Sequence, residues 1–293
     1  MASLAESPTR RNGKSNDKAK ALRKTIDDRL EQLAKAVDDV RASELFKQYL
    51  DMQARFHKYS WHNTMLIVSQ KPDAERVAGF KTWQTMGRHV RKGERGIMIF
   101  APRPWKHTDT DTDDDGNDTE RQGMSFRPVH VFDVSQTDGD PLPEVEVPDV
   151  ETAADTLLAS LERVASKRGI AINYTSLDAG YYGVSKGGTI DIATGHATGQ
   201  SAKTLAHELA HEAMHKQNRP DGLTRTIAEL EAESVAYVVA SHFGLDVEVR
   251  ASRYIALWDG DAKALRESLE RIATTARNII DDVDALASGK AVA

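Results

Sequence analysis

Apolar residues recur along the first seventy positions at helical spacing. Leu22, Ile26, Leu30, Leu33 and Val37 form one stripe, and Leu45, Leu50, Phe56 and Tyr59 continue it. Ser60 is placed to cap a further helix carrying Met65, Leu66 and Ile67, which must end before Pro72. Between Gly79 and Gly87 the pattern fits one short helix. It then changes period. Ile97 to Phe100 predicts a strand stopped at Pro102, and Phe126 to Val134 predicts a second. Further on, Leu157, Leu158, Leu161 and Val164 predict a helix ending near Gly169. Ile170 to Tyr174 alternates like a strand, and 181–184 with 189–193 should form a hairpin around Ser185 to Gly188. Three helices close the chain: an Ala-rich one around residues 204–215, one over 226–240 ending at Gly244, and one through Leu265, Leu269, Ile272, Ile279 and Val283. The whole predicts an α+β protein: N-terminal helices with a small antiparallel sheet, then a second small sheet packed on helices. Residues 1–20 read as a mobile basic tail, 21–137 as a first domain, 138–150 as a linker and 151–293 as a second domain. Residues 108–123 read as an acidic, disordered loop.

Charge sharpens this division. The net charge of −6 hides 22 Lys+Arg against 12 Asp+Glu in residues 1–107, net +10, and a net of −16 over the remainder. The first half can attract phosphates and the second repels them. The chain contains no cysteine, so any metal must be held by nitrogen and oxygen ligands. No stretch has the apolar length of a membrane span, and the expectation is a cytoplasmic protein without a membrane partner.

The Ala-rich helix contains His207-Glu208-Leu209-Ala210-His211. Residues four apart share a helix face, so both imidazoles can reach one cation, and Glu208 beside them can act as the catalytic base toward an activated water. A third ligand is needed. Glu229 and Glu233, four apart on the next helix, are the candidates. Glu233 is preferred because the small residues after it permit close helix packing, with Glu229 as a partner of a ligating imidazole. Glu231 points elsewhere. His215 is rejected as a ligand, lying two turns from His207; a surface or supporting role fits it better. The predicted metal site is therefore His207, His211 and Glu233, suited to Zn2+ and also able to accept Mn2+ or Co2+. With Glu208 it predicts a zinc metalloendopeptidase. Thr189 to Ile192 is the expected strand for pairing with an extended peptide, and Tyr181 and Tyr182 are read as packing residues.

In the first half, Lys81, Trp83, Arg88, Arg91, Lys92 and Arg95 mix cations with a flat ring over fifteen residues. That is what single-stranded nucleic acid needs: charge along the phosphates and aromatic faces for the bases.

The segments Tyr59-Ser-Trp-His-Asn63, Gln70-Lys-Pro-Asp-Ala74, Val77 to Gln84, Gly87 to Ile97 and Val131-Phe-Asp-Val-Ser-Gln-Thr137 resemble the single-strand DNA-binding domain of the ArdC family of antirestriction proteins. Gly180-Tyr-Tyr-Gly183, Lys203 to His211 and Ala232 to Ala236 resemble that family's zincin-like metallopeptidase domain, which is similar to the ImmA/IrrE group. The resemblance implies a protein of plasmids or phages that guards single-stranded DNA. It carries metal ligation over to His207, His211 and Glu233, and the base to Glu208. It also implies two alternatives: DNA protection with an idle or structural metal site, and a regulatory protease that cleaves a repressor. A protein substrate is implied by the peptidase readings.

Overall fold

The computed structural model describes residues 8–34, 39–112, 118–142, 150–216, 219–247 and 261–288. Three helices lead: α1 (Pro8–Ala34), α2 (Asp39–Arg55) and α3 (Trp61–Gln70). α1 starts well inside the stretch expected to be a mobile tail. Pro8 stands at its first position, where a missing N–H costs nothing, and the Lys-, Arg- and Ala-rich run 18–24, made mostly of good helix formers, carries the helix on past the weaker Asn12, Gly13, Ser15, Asn16 and Asp17. Ser60 caps α3 as expected, its hydroxyl accepting from the Asn63 N–H. Leu22, Ile26, Leu30 and Leu33 are buried; Val37 lies outside the described residues.

Next come β1 (Val77–Gly79), α4 (Phe80–Thr85), β2 (Arg88–Val90), β3 (Ile97–Thr112), β4 (Asp118–Asp133) and β5 (Thr137–Gly139). β3 and β4 pair as a long antiparallel ribbon with β1 on the outer edge of β4, and β2 pairs with β5. The ribbon corrects two expectations. It runs past Pro102, and it enters the acidic stretch expected to be a loop, since β3 reaches Thr112 and β4 begins at Asp118. The prolines are tolerated because of their register. Asn63 on α3 exchanges hydrogen bonds with Phe100 (2.8 and 2.9 Å), and Gln70 with Met98 (2.9 Å each). The backbone groups of Met98 and Phe100 therefore point away from β4. Pro102 and Pro104 share their parity, so neither removes a bond from the ladder. Asp138 and Gly139, expected to begin the linker, lie in β5; of that linker, residues 143–149 are outside the described residues.

The second half contains α5 (Val150–Lys167), β6 (Ala171–Thr175), β7 (Gly183–Ser185), β8 (Thr189–Ala193), α6 (Thr198–His211), a π-helical segment (Glu212–Lys216), α7 (Arg225–His242) and α8 (Ala262–Ala287). β8 is the central strand, parallel to β6 and antiparallel to β7. Thr189 to Ile192 thus has no open edge for a peptide; β7, one side of which faces α6, is an edge strand. The fold is α+β. One continuous apolar cluster runs from Leu22 and Phe46 through Leu205 and Val238 to Ile279, so α7 and α8 pack against α1–α3. Tyr237 hydrogen-bonds Asp51, and Arg277 donates to the carbonyls of His57 and Tyr59 (2.9 and 2.8 Å). Among the described residues no helix is long and apolar enough to cross a membrane.

Candidate metal centre and its setting

α6 and α7 pack face to face, Ala-rich sides inward: Ala202, Ala206, Ala210, Ala232, Ala236 and Ala240 are fully buried. Such small side chains let the backbones approach closely and bring the polar faces of both helices to one cleft of about 670 Å³. There His207 Nε2 and His211 Nε2 stand 3.0 Å apart. Glu229 Oε2 lies 3.4 Å from the first and 3.5 Å from the second. The donor atoms of these three residues all lie within 4.8 Å of one another.

Glu233 is placed differently from the expectation. Its Oε2 approaches the opposite nitrogen of His207, Nδ1, at 3.5 Å, while Oε1 accepts from Lys203 Nζ at 2.6 Å. The two glutamates, one helical turn apart, sit on opposite sides of one imidazole. Sequence cannot tell which nitrogen of a ring each acid will face, so the preference for Glu233 as the ligand rested on helix packing alone, and the structure sets Glu229 beside the two Nε2 atoms instead.

His211 is backed by a longer chain. Its Nδ1 lies 2.9 Å from His215 Nδ1, and His215 Nε2 lies 3.0 Å from Glu231 Oε2. Glu231 is fully buried and also accepts from Ser268 Oγ (2.6 Å) and from Arg271 of α8. Although burial works against its charge, His215, Arg271 and Ser268 hold its pKa below the usual carboxylate value. An ionised carboxylate only accepts, so His215 donates from Nε2. With His215 Nδ1 as the acceptor of the 2.9 Å contact, His211 donates from Nδ1 and its Nε2 lone pair faces the cleft. His215 is buried, so a surface role is excluded. The π-helical segment gives it this position; such insertions in helices are frequent at functional sites.

Glu208 is buried at the cleft wall. Burial raises its pKa, though His207 and His211 act against this, which suits a group that must both take and give a proton. β7 passes so close that a Cβ on Gly183 would come within 2.9 Å of Glu208 Oε1 and 2.6 Å of Thr204; only glycine fits. Glu212 fixes this sheet to α6, accepting from Ser185 Oγ (2.6 Å) and from the Gly187 and Gly188 N–H groups (2.8 Å each). Tyr181 and Tyr182 line the cleft and are exposed rather than packed, with Tyr182 against His196.

Burial opposes a charge on His207, but Glu229 and Glu233 outweigh it and hold the metal-free ring at about 9. The ring is then protonated at neutral pH, and a ligand to metal must be neutral. Metal uptake at pH 7.5 should therefore release about one proton, and affinity should fall roughly tenfold per pH unit below 9. Calorimetry in two buffers of different ionisation enthalpy measures the proton count; a count of zero would contradict this charge state.

The residues singled out for nucleic acid separate into two groups. Trp83 is buried, its Nε1–H donating to the Phe132 carbonyl at 2.9 Å, and cannot stack on a base. Arg88 is spent on Thr137 and Gly139, and Arg91 on Glu94 and Asp138. Lys81, Lys92 and Arg95 are exposed. The exposed rings lie elsewhere, with Phe80 and Phe126 among them. Phe126 pairs across the ribbon with Pro102, and Phe132 meets Phe80 edge to face at 6.4 Å between ring centres. Period-two alternation puts Phe100, Phe126, His130 and Phe132 on one face, opposite the buried Ile97, Ile99 and Val131.

Residues 16–132 match the family described as the N-terminal domain of anti-restriction factor ArdC. Over that stretch the chain is similar to ArdC. The crystal structure of antirestriction ArdC from plasmid R388 in its metal-free form shares the fold of this chain, with a TM-score of 0.50 and 20% identity, over 79% of this chain and 86% of that one. The Mn(II)-bound crystal of the same plasmid protein aligns at a TM-score of 0.45 and 19% identity, over 78% and 84% of the two chains. An uncharacterized protein of Bacillus anthracis is 25% identical over 80% of this chain. This chain spans about half, 47%, of that relative's length.

Proposed function

We propose that the chain is an antirestriction-type protein of a mobile element that binds single-stranded DNA with its first half and hydrolyses peptide bonds with its second. The observation that supports the hydrolytic half is the convergence of His207 Nε2, His211 Nε2 and Glu229 Oε2 beside Glu208 in an open cleft. Two imidazole nitrogens and one carboxylate suit Zn2+, and also Mn2+ or Co2+, with the three residues as ligands. Such an ion supplies Lewis acidity and an acidified water. Glu208 takes the proton from the attacking water and returns one to the leaving amine. Glu233 accepts from His207 Nδ1 and the Glu231–His215 pair accepts from His211, which keeps both rings turned to the cleft. β7, the edge strand that lines the cleft, is the one placed to offer backbone groups to an extended peptide.

For the DNA, the aromatic face of the ribbon is a better platform than the site centred on Trp83. Phe80 and Phe126 are exposed rings, Lys81 adjoins Phe80 in sequence, and Lys92 and Arg95 are exposed cations of the same half. Replacing either ring by Ala should weaken single-strand binding by about tenfold to a hundredfold. Trp83→Phe should leave it nearly unchanged. Affinity should fall steeply with salt. Fluorescence anisotropy with labelled oligonucleotides checks all three, and unaltered binding by the doubly substituted protein would remove the ribbon from the interface.

Glu208→Gln separates the two halves. It should abolish cleavage of an unstructured protein substrate while preserving metal content and single-strand affinity. Protection of incoming DNA from restriction, measured with the same variant, decides whether hydrolysis serves that role. Full protection by Glu208→Gln would favour the reading in which DNA binding alone protects.

A further inference from the structure

A second group of donors lies where the two halves meet. His57 follows the end of α2, His242 is the last residue of α7, and Asp284 lies in the last turn of α8. One donor atom from each falls within 4.8 Å of the others. The His57 and His242 rings stand 4.4 Å apart between centres, at 69°. His57 is 7% exposed, and among the described residues neither of its ring nitrogens has a hydrogen-bond partner. A neutral imidazole carries one donor and one lone pair, and leaving both unmet in a buried place is costly. The His242 ring is oriented for ligation: Nδ1 donates to the Ala54 carbonyl at 2.8 Å, so Nε2 carries the free lone pair.

We propose that His57, His242 and Asp284 form a second divalent-cation site that joins the DNA-binding half of the chain to the half bearing His207. A cation takes the lone pair of one His57 nitrogen. The N–H of the ring is left for a carboxylate, and Asp281 Oδ1 already lies 3.8 Å from Nε2. Two nitrogens and one or two carboxylates suit Zn2+ or Co2+. Ligands around such an ion lie roughly 3.4 Å apart, so the side chains must close in slightly. Three helix ends meet here, those of α2, α7 and α8, each with its negative pole toward the group. Among the described residues, Lys58 and Arg277 are cations nearby. Arg277 is occupied with the His57 and Tyr59 carbonyls, and Lys58 is the residue next to His57. The site is not part of the cleft. Glu229 and His242 stand thirteen residues apart on α7, about 20 Å along its axis. Its role is structural: a cation held by all three helices fixes the ribbon-bearing half against α7.

The test uses the full chain. In a His207→Ala/His211→Ala protein, Co2+ titration should still give one bound ion, with visible absorption of nitrogen–oxygen coordination. The melting temperature should rise by roughly 5 °C at a hundredfold excess over Kd. Adding His242→Ala, or His57→Phe, which keeps a ring in the packing, should remove both signals while far-ultraviolet circular dichroism stays native. If the doubly substituted background fails to fold, equilibrium dialysis of the unsubstituted chain with Zn2+ should give two ions, and one for His57→Phe. Equal stoichiometry in those two proteins, or loss of all Co2+ binding in a folded His207→Ala/His211→Ala chain, overturns the proposal.

Discussion

Glu229→Ala should abolish divalent-metal binding in the cleft, while Glu233→Ala should weaken it by only about 10–100-fold. The difference follows from which nitrogen each acid faces. Glu229 Oε2 sits at 3.4–3.5 Å from both cleft-facing nitrogens. Removing it takes away an oxygen donor and leaves two imidazoles alone, an incomplete set for a catalytic ion. Glu233 reaches His207 from behind, at Nδ1. Its loss frees the ring to rotate and lowers its basicity, but no donor leaves the cleft. Calorimetric titration with Zn2+ or Mn2+ at one pH measures both variants. To keep the second cation group from contributing, both substitutions belong in a His57→Phe background. The opposite ranking, with Glu233→Ala abolishing binding and Glu229→Ala sparing it, would return Glu233 to the ligand role and discard the arrangement described above.

Glu231→Ala should be the most damaging single change to stability in the second half, costing about 3–5 kcal/mol. Glu231 is fully buried, and three groups depend on it: the Arg271 guanidinium, the Ser268 hydroxyl and the His215 ring. Without the carboxylate, Arg271 keeps its charge in a mostly buried place with its counter-ion gone. The link between α7 and α8 loosens at the same time. His215→Phe isolates the other consequence. It leaves Glu231, Arg271 and Ser268 in contact but takes away the acceptor that fixes the His211 tautomer. It should therefore lower metal affinity by about 10–100-fold with a much smaller effect on unfolding. Urea denaturation of metal-free protein, beside metal titration, separates the two. A loss under about 1 kcal/mol for Glu231→Ala would mean that the network does not hold α8 in place.

Several of these features could be read in the chain itself, and the reasons for the others are specific. Helix periodicity and the Ser60 cap are local signals, and they placed α3 and α5–α8 correctly. The pairing of His207 with His211 is likewise local. The partner of a ring is not. Ser268 and Arg271 come from a helix that follows Glu231 by 37 and 40 positions, and nothing in their own surroundings marks them. Proline misled the strand boundary because its cost depends on which way the N–H points, and that is fixed by the pairing partner. The most recognisable segments of the first half proved to be scaffold. Asn63 and Gln70 serve the edge of β3, and Trp83 holds the Phe132 carbonyl. Asp133 ties together the backbone N–H groups of Glu75, Arg76 and Ser135. A residue can be distinctive because a framework requires it, and contact with a ligand need not be the reason.

The prolines of the ribbon have a further consequence. A long, paired projection with bare outer margins would ordinarily recruit a strand from another molecule and grow into aggregates. Pro102 and Pro104 leave β3 without outward donors at two successive sites, and Pro128, opposite Phe100, does the same for β4. The margins thus resist lateral growth, so the ribbon can display aromatic rings in water without assembling on itself.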